Sequence, residues 1–257
     1  MNTIAILQAR LSSSRLPGKV LKLIRDRPML EYQIERIKRS RSIDRLVVAT
    51  SDLPEDEQIS ELCQEINVDC FRGSLDDVLD RVYQAAKPYT PKYLVRLTGD
   101  CPLCDPELID RVIEFHIDGN YDYTSNTINP TYPDGLDVEV CRFECLEFAY
   151  REATLPSQRE HVTPFIHQQP HRFRLGNYKN TQDLSYLRWT VDELADFELV
   201  EQVYTDLYPQ NPKFNMSDIL AWLDLHPKWW DRNQQYERNE GFKKSLIADR
   251  VLMNQAK

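Results

Sequence analysis

The sequence predicts an α/β fold with a mostly parallel central sheet flanked by helices, and two observations support this prediction. Over the first two thirds of the chain, short apolar runs rich in β-branched residues alternate with segments whose apolar residues recur every three or four positions. This alternation is typical of parallel strands that are joined by crossover helices. The chain also has 257 residues, 41% of them hydrophobic, which is enough material for one large core.

The predicted strands are short apolar runs that end in polar or glycine-containing turns. The first of them opens the chain and has the apolar character of a buried strand rather than of a signal peptide. In chain order the predicted strands comprise residues 3–8, 45–50, 68–71, 92–97, 121–125, 137–141, 172–178 and 187–191.

The predicted helices carry apolar residues on one face, at spacings of three and four positions. Ser74 or Asp76 is expected to cap the third helix, which runs to about residue 86, because short polar side chains satisfy free amide groups at a helix start. In chain order the other helices comprise residues 29–37, 55–65, 106–117, 142–152, 194–207 and 217–225, and a further helix is expected within residues 157–168.

The chain is expected to divide at residue 225. Residues 1–225 carry the alternating pattern and form the domain, whereas residues 226–257 form a Trp- and charge-rich C-terminal extension. Trp229 and Trp230 are interpreted as packing or interface residues. They either close over a site or join two subunits, because both arrangements would bury the same aromatic rings.

Composition excludes several classes of protein. The formal net charge of −9 argues against general nucleic-acid binding, which needs a surplus of Lys and Arg. No apolar run approaches the roughly 20 residues that span a bilayer, so we expect no membrane insertion and a cytoplasmic location. The six cysteines form no dense disulfide framework. A zinc site built from Cys101, Cys104, Cys141 and Cys145 is disfavoured, because the second pair straddles a strand-to-helix junction.

A basic loop follows the first predicted strand, at the strand end where open α/β sheets bind ligands. It is not a Walker loop, which would need Gly where the chain has Ser13 and Ser or Thr where it has Val20. A solvated loop is the alternative, but clustered cations in an acidic chain normally need an anionic partner. The loop therefore indicates a phosphate cradle with three cations: Arg10, Arg15 and Lys19.

Two acidic residues follow predicted strands. Asp100 comes directly after residues 92–97 and the turn that ends them, and Asp192 follows residues 187–191. Strand-end carboxylates suit Mg²⁺, which takes one or two of them and completes its shell with water and phosphate oxygens. Helix capping is the alternative role for both residues.

Several motifs with defined spacing occur in order along the chain. They are Arg10-x-Ser-Ser-x-Arg15-x-Pro17-Gly18-Lys19, Phe71-Arg72-Gly73-Ser74, Leu97-Thr98-Gly99-Asp100-x-Pro102, Pro133-x-Gly135-x-Asp137-Val138-Glu139, Arg159-Glu160-His161 and Arg188-x-Thr190-Val191-Asp192. In these motifs the chain resembles the cytidylyltransferases that activate acidic nonulosonic and octulosonic sugars, in particular the branch named for spore coat polysaccharide biosynthesis protein F. The resemblance covers about residues 3–225 and leaves the tail outside it.

The resemblance implies a Rossmann-like nucleotide-diphospho-sugar transferase domain of GT-A-like fold over residues 1–225, and a homodimer. It also implies roles for individual residues. The catalytic residues would be Lys19, Arg15 and Asp100; nucleotide would contact Leu7, Ala9, Arg10, Ser13, Arg15, Lys19, Arg72, Ser74 and Thr98; the acceptor would contact Asp137, Glu139, Arg159 and His161; and Mg²⁺ would be held by Asp100 and Asp192.

The implied reaction is transfer of CMP from CTP to an acidic sugar or a related sugar phosphate, with release of pyrophosphate, for surface polysaccharide biosynthesis. One position departs from the family pattern, because Ser12 stands where these enzymes usually carry Gly. Three alternatives stay open. They are a sugar-1-phosphate nucleotidyltransferase that uses UTP or ATP, a glycosyltransferase on the same sheet, and a non-catalytic nucleotide-binding scaffold.

Overall fold

The computed structural model describes residues 2–238 and 240–255, with the side chains of residues 252–255 left out. Its strands form one large sheet and a small two-stranded ribbon made by β2 and β3. The strands are β1 (Thr3–Gln8), β2 (Leu23–Ile24), β3 (Arg27–Pro28), β4 (Arg45–Ser51), β5 (Asp69–Gly73), β6 (Tyr93–Thr98), β7 (Tyr123–Ser125), β8 (Glu139–Arg142) and β9 (Leu175–Asn177).

Helices cover both faces of the large sheet. Within the described residues, we find none with the length and apolar character that crossing a bilayer requires. The helices are α1 (Met29–Ile37), α2 (Glu57–Glu65), α3 (Val78–Ala86), α4 (Pro106–Asp118), α5 (Phe143–Glu152), α6 (Pro156–His161), α7 (Pro164–His167), α8 (Leu194–Leu207), α9 (Met216–Leu225) and α10 (Glu240–Gln255).

The large sheet has seven strands in the order β5-β4-β1-β6-β8-β7-β9. Every neighbouring pair is parallel except the two pairs that involve β8. The predicted mostly parallel sheet is therefore confirmed. Because β1 and β6 pair in parallel, with Gln8 opposite Thr98, their carboxyl ends meet at one edge of the sheet. The antiparallel strand β8 begins at this edge, where Glu139 lies opposite Arg96.

The core lies on both sides of β1, because successive side chains of a strand point to opposite faces. Ala5 and Leu7 pack into the cluster that contains residues of α1, α4 and α8. Ile4 and Ile6 pack into the cluster that contains residues of α3 and α5. A strand buried on both faces needs a continuous apolar run, which explains why this strand was visible in the sequence.

Two sequence predictions on local structure are wrong. Residues 187–191 form no strand but make a single bridge between Asp134 and Arg188. Asp77, not Ser74 or Asp76, caps α3, and its carboxylate accepts from the amide of Asp80. The helix predicted within residues 157–168 is confirmed, but the segment holds two helices, because the ring of Pro164 would clash with a preceding carbonyl and cannot continue a helix.

The C-terminal segment packs onto the domain. Trp229 and Trp230 contact the larger core cluster while remaining partly buried. The helix α10, which the sequence analysis did not predict, contacts α6. The division of the chain at residue 225 stays a prediction.

Gly135 is required by a close approach between two segments. Its φ is +105°, and a Cβ atom there would lie 2.5 Å from the carbonyl carbon of Trp189. Gly18 also has a positive φ, +69°, but a Cβ atom there would meet nothing within 4 Å. Both positions therefore disfavour other residues, and only Gly135 adds a clash with backbone.

We predict that Gly135→Ala destabilises the protein more than Gly18→Ala. The backbone conformation alone costs about 1–2 kcal/mol in each variant, and the clash adds about 1–3 kcal/mol at Gly135. Urea unfolding measures the change in the free energy of unfolding of each variant, provided that the slope of that free energy against urea concentration is the same for both. Equal midpoints for the two variants would contradict the argument from the Trp189 contact.

Candidate active site

A cavity of about 840 Å³ opens at the edge of the sheet where β1 and β6 end. The basic loop, residues 9–19, lines it together with residues of α6 and α7. The turn after β6, the start of β8 and the segment 187–192 also contribute lining residues. Further lining residues come from the C-terminal segment.

Lys19 lies at the centre of the ionic groups in this cavity. Gly18, in the left-handed region, starts a short 3-10 turn at Lys19, which directs the basic loop back toward the sheet. The Lys19 Nζ atom donates to Asp192 Oδ1 at 2.8 Å and to the carbonyl of Val191 at 2.7 Å. It also lies 3.5 Å from Asp100 Oδ2. The two strand-end carboxylates predicted from the sequence therefore converge on one ammonium group.

The ionised forms of this cluster stabilise one another. Burial alone would lower the pKa of Lys19, but the Asp100 and Asp192 carboxylates outweigh it and raise that pKa. Burial alone would likewise raise the pKa of Asp100, but the Lys19 ammonium and the Thr98 hydroxyl hold it below its ordinary value. The Thr98 Oγ1 atom donates to Asp100 Oδ1 at 2.5 Å. Lys19 is thus charged and Asp100 ionised at neutral pH.

The position of Asp192 depends on backbone contacts between distant segments. The amide of Val191 donates to the carbonyl of Asp100 at 2.7 Å, which fixes the segment 187–192 against the turn after β6. The amide of Asp192 donates to Asp196 Oδ2 at 3.0 Å, at the start of α8. Segment 187–192 therefore holds its carboxylate in place without belonging to the sheet.

Arg188 links this carboxylate to two others. Its guanidinium is buried and lies 3.1 Å from Asp134 Oδ2, 3.0 Å from Asp196 Oδ1 and 3.3 Å from Asp192 Oδ2. The sequence analysis missed this role, although Arg188 begins the motif that ends in Asp192. The sequence analysis also missed the role of Asp134 as a partner of Arg188. Its position next to Gly135, within another of the motifs, was the signal that could have identified it.

The other two cations of the basic loop differ in their contacts. Arg15 lies 2.9 Å from Asp192 Oδ1, 3.7 Å from Glu193 Oε1 and 3.6 Å from Glu240 Oε2. Arg10 lines the cavity, is exposed, and makes no ion pair with any described residue. Ser13 also lines the cavity, and its amide donates to the carbonyl of Leu11.

The donor set of the cavity fits Mg²⁺. Two carboxylates face the same space, and the open cavity leaves room for the water and phosphate oxygens that usually complete the shell of this ion. Among the described residues, no group of three or more His, Cys, Asp or Glu side chains forms a closed metal site. Any ion held by Asp100 and Asp192 would thus depend on a bound ligand for much of its coordination.

The acidic residues on the acceptor side are already paired. Glu139 contacts the Arg96 guanidinium and accepts from the hydroxyls of Tyr123 at 2.6 Å and Thr163 at 2.5 Å. Although its burial opposes ionisation, these partners lower its pKa. Asp137 Oδ1 lies 2.5 Å from the Arg238 guanidinium.

The titration of Asp137 differs from that of Glu139. Burial raises its pKa to about 7, aided by repulsion from Asp134, Asp100 and Glu139 and opposed by Arg238.

His161 Nε2 lies 2.9 Å from Ser245 Oγ. Burial lowers the pKa of His161, so the imidazole is neutral at neutral pH.

Four of the predicted site residues lie outside the cavity lining. The Arg159 guanidinium pairs with Asp77 and donates to the carbonyl of Tyr150 at 2.8 Å. The geometry therefore does not support its predicted contact with an acidic acceptor. The Arg72 guanidinium pairs with Glu57. The other two are Leu7, which is fully buried in the core, and Ser74, whose hydroxyl accepts from the amide of Asp77.

The remaining predicted residues are brought together around the cavity. They are Ala9, Arg10, Ser13, Arg15, Lys19, Thr98, Asp100, Asp137, Glu139, His161 and Asp192.

A sequence model described as cytidylyltransferase matches residues 4–220. The uncharacterized protein MJ1063 of Methanocaldococcus jannaschii is 41% identical over 232 residues, covering 89% of this chain and 93% of that protein. The spore coat polysaccharide biosynthesis protein SpsF of Bacillus subtilis is 33% identical over 241 residues, covering 88% of this chain and 96% of that protein.

Two proteins described as cytidylyltransferases are also similar to this chain. A 3-deoxy-manno-octulosonate cytidylyltransferase of Acinetobacter baumannii is 30% identical over 214 residues, covering 77% of this chain and 83% of that protein. The solved structure of a cytidylyltransferase from Leptospira borgpetersenii serovar Hardjo-bovis is 30% identical, with a TM-score of 0.86 and coverage of 93% of this chain and 100% of that one. On the strength of these matches over most of its length, the chain belongs to the cytidylyltransferase family.

Proposed function

We propose that this protein transfers CMP from CTP to an acidic sugar in a Mg²⁺-dependent reaction that releases pyrophosphate. The observation that carries the proposal is the convergence of Asp100 and Asp192 on the Lys19 ammonium, with Arg15 bound to the same Asp192 carboxylate. Nucleotidyl transfer needs this combination, because cations must bind the triphosphate while carboxylates hold a metal ion beside it.

In the proposed reaction, a hydroxyl oxygen of the acceptor attacks the α-phosphorus of CTP, and the hydroxyl proton passes to solvent water. The bond from that phosphorus to the bridging oxygen breaks in line, and pyrophosphate leaves with its electron pair. Little covalent chemistry is required of the protein, so positioning and charge neutralisation supply most of the rate. Lys19 and Arg15 would neutralise the departing pyrophosphate, and the unpaired Arg10 would bind the triphosphate as it enters.

Mg²⁺ would be held by Asp100 and Asp192. When bound, it supplies positive charge at the α-phosphate and lowers the pKa of the acceptor hydroxyl. A metal-activated hydroxyl needs no strong general base. The neutral His161 is therefore assigned to the wall of the cavity rather than to proton abstraction.

The acidic acceptor is proposed from the relatives. One of them is named for 3-deoxy-manno-octulosonate and another for spore coat polysaccharide biosynthesis. We therefore propose that the product enters surface polysaccharide synthesis, and that the protein is a homodimer as the resemblance implies. The membership of the chain in the cytidylyltransferase family favours CTP over UTP or ATP.

We predict that Lys19→Ala and Asp100→Ala each reduce turnover by at least roughly 10²–10³-fold, because each removes one charge-stabilising group from the transition state. Pyrophosphate release in saturating CTP and Mg²⁺ measures the effect. Lys213→Ala and Asp118→Ala are matched controls, because both side chains are exposed and lie outside the cavity lining. If Asp100→Ala retained near-normal turnover in saturating Mg²⁺, its assignment as a metal ligand would be wrong.

We predict that a panel of nucleoside triphosphates and acceptors selects CTP with an acidic sugar. With 3-deoxy-manno-octulosonate as the probe, kcat/KM is expected to be at least about 10-fold higher with CTP than with UTP, since one lost hydrogen bond to the base is worth about that factor. Mg²⁺-dependent pyrophosphate release is the readout.

Other results of the same panel would replace the proposal. Preference for UTP or ATP with a sugar 1-phosphate would identify the runner-up transferase. Binding of CTP without pyrophosphate release from any acceptor would favour a nucleotide-binding scaffold.

A further inference from the structure

The C-terminal segment forms part of the cavity, although it lies beyond the residues that the family model matches. Its contribution comes from the start of α10 and the residues just before it. The lining residues of this segment, here called the tail wall, are Glu237, Glu240, Gly241, Phe242, Lys244 and Ser245.

Buried hydrogen bonds dock α10 against α6. The Ser157 amide donates to Asp249 Oδ1 at 3.0 Å, and the Ser157 hydroxyl donates to Asp249 Oδ2 at 2.5 Å. One turn earlier in α10, the Ser245 hydroxyl donates to Glu160 Oε2 at 2.6 Å. Ser157, Ser245 and Asp249 are all buried. Because buried polar groups hold their partners firmly, the tail wall has a defined position at the cavity.

Three acidic residues line the acceptor side of the cavity: Asp137, Glu139 and Glu160. Glu139 is paired with Arg96 and Asp137 is paired with Arg238, so those two cations are not available to an acceptor. Binding of an acceptor carboxylate beside these acidic groups would therefore need a further cation.

Among the described residues, three cations line the cavity without an ion pair: Arg10, Arg81 and Lys244. Arg10 belongs to the basic loop, and Arg81 is buried and donates to the carbonyl of Ser74. Lys244 is therefore the cation that best meets this requirement. It lines the cavity, its side chain is exposed, and it makes no ion pair with any described residue.

Arg159, which the sequence pattern favoured for this role, is outside the lining and bound to Asp77. The neighbouring Lys243 pairs with Glu237 and does not line the cavity.

We propose that Lys244 binds the carboxylate of the acidic acceptor, so that α10 supplies a specificity-determining residue from beyond the residues that the family model matches. The inference rests on the proposed transfer of CMP to an acidic sugar and adds the group that recognises the acid. A lysine suits this position, because its flexible stem carries a point charge that follows an acceptor into an open cavity. In this proposal the basic loop binds the triphosphate and α10 binds the acceptor.

The test compares Lys244→Ala with Lys243→Ala in the full chain, using CTP and 3-deoxy-manno-octulosonate. Lys244→Ala is expected to raise the KM for the sugar acid about 10-fold, the value of one charge-assisted hydrogen bond. The KM for CTP is expected to stay unchanged, and Lys244→Arg is expected to restore most of the affinity for the acid. Lys243→Ala is expected to behave as wild type.

A second acceptor tests the charge directly. The methyl ester of the same sugar keeps the attacking hydroxyl but lacks the carboxylate charge. Wild type is therefore expected to have a lower KM for the acid than for the ester. Lys244→Ala is expected to lose that difference. A folded, active Lys244→Ala enzyme with an unchanged KM for the acid would overturn the inference and leave the proposed function standing. Wild-type protein that releases no pyrophosphate with any sugar acid would overturn both.

Discussion

The ionic cluster around Lys19 is the constraint on which the rest of the site depends. Two carboxylates that converge at the edge of a sheet repel each other, and a cation between them offsets that repulsion. Lys19 supplies this cation from the basic loop, while Asp100 comes from the turn after β6 and Asp192 from a segment far along the chain. The contact thus fixes three distant parts of the sequence relative to one another, and it holds the pKa of Asp100 below its ordinary value.

The buried Arg188 extends the same principle along the cavity lining. It pairs with Asp134 and Asp196 and also contacts Asp192, so four ionic groups satisfy one another. Asn233 donates to the Arg188 carbonyl at 3.0 Å and to Asp196 Oδ1 at 2.8 Å, which joins the C-terminal segment to this network. Removing one member of such a network leaves a buried charge without a partner, so the network specifies one arrangement of the segment 187–192.

The sequence predicted the sheet and most of the cavity, because those features follow from local patterns. β1 is visible as an apolar run, and the basic loop stands out in an acidic chain. Contacts between distant residues were not predictable in this way. Arg159 looked available for an anion until the fold placed Asp77 beside it, and residues 187–191 looked like a strand although backbone contacts with Asp100 and Asp134 hold them outside the sheet. The helix α10 carries too weak an apolar pattern to predict its docking, which depends on the buried partner of Asp249.

Charge balance links the two halves of the proposed reaction. Lys19 and Arg15 are paired with carboxylates, including Glu240 of the C-terminal segment. A bound triphosphate would compete with those carboxylates for the same cations, and Asp100, Asp192 and Glu240 would then have less positive charge around them. Mg²⁺ held by Asp100 and Asp192 would supply compensating positive charge, so nucleotide and metal binding would favour each other in the proposed reaction. Glu240 would have no such compensation and would be repelled by the phosphates. Because Glu240 begins the helix that carries Lys244, triphosphate binding would act on the same helix as the cation proposed to bind the acceptor.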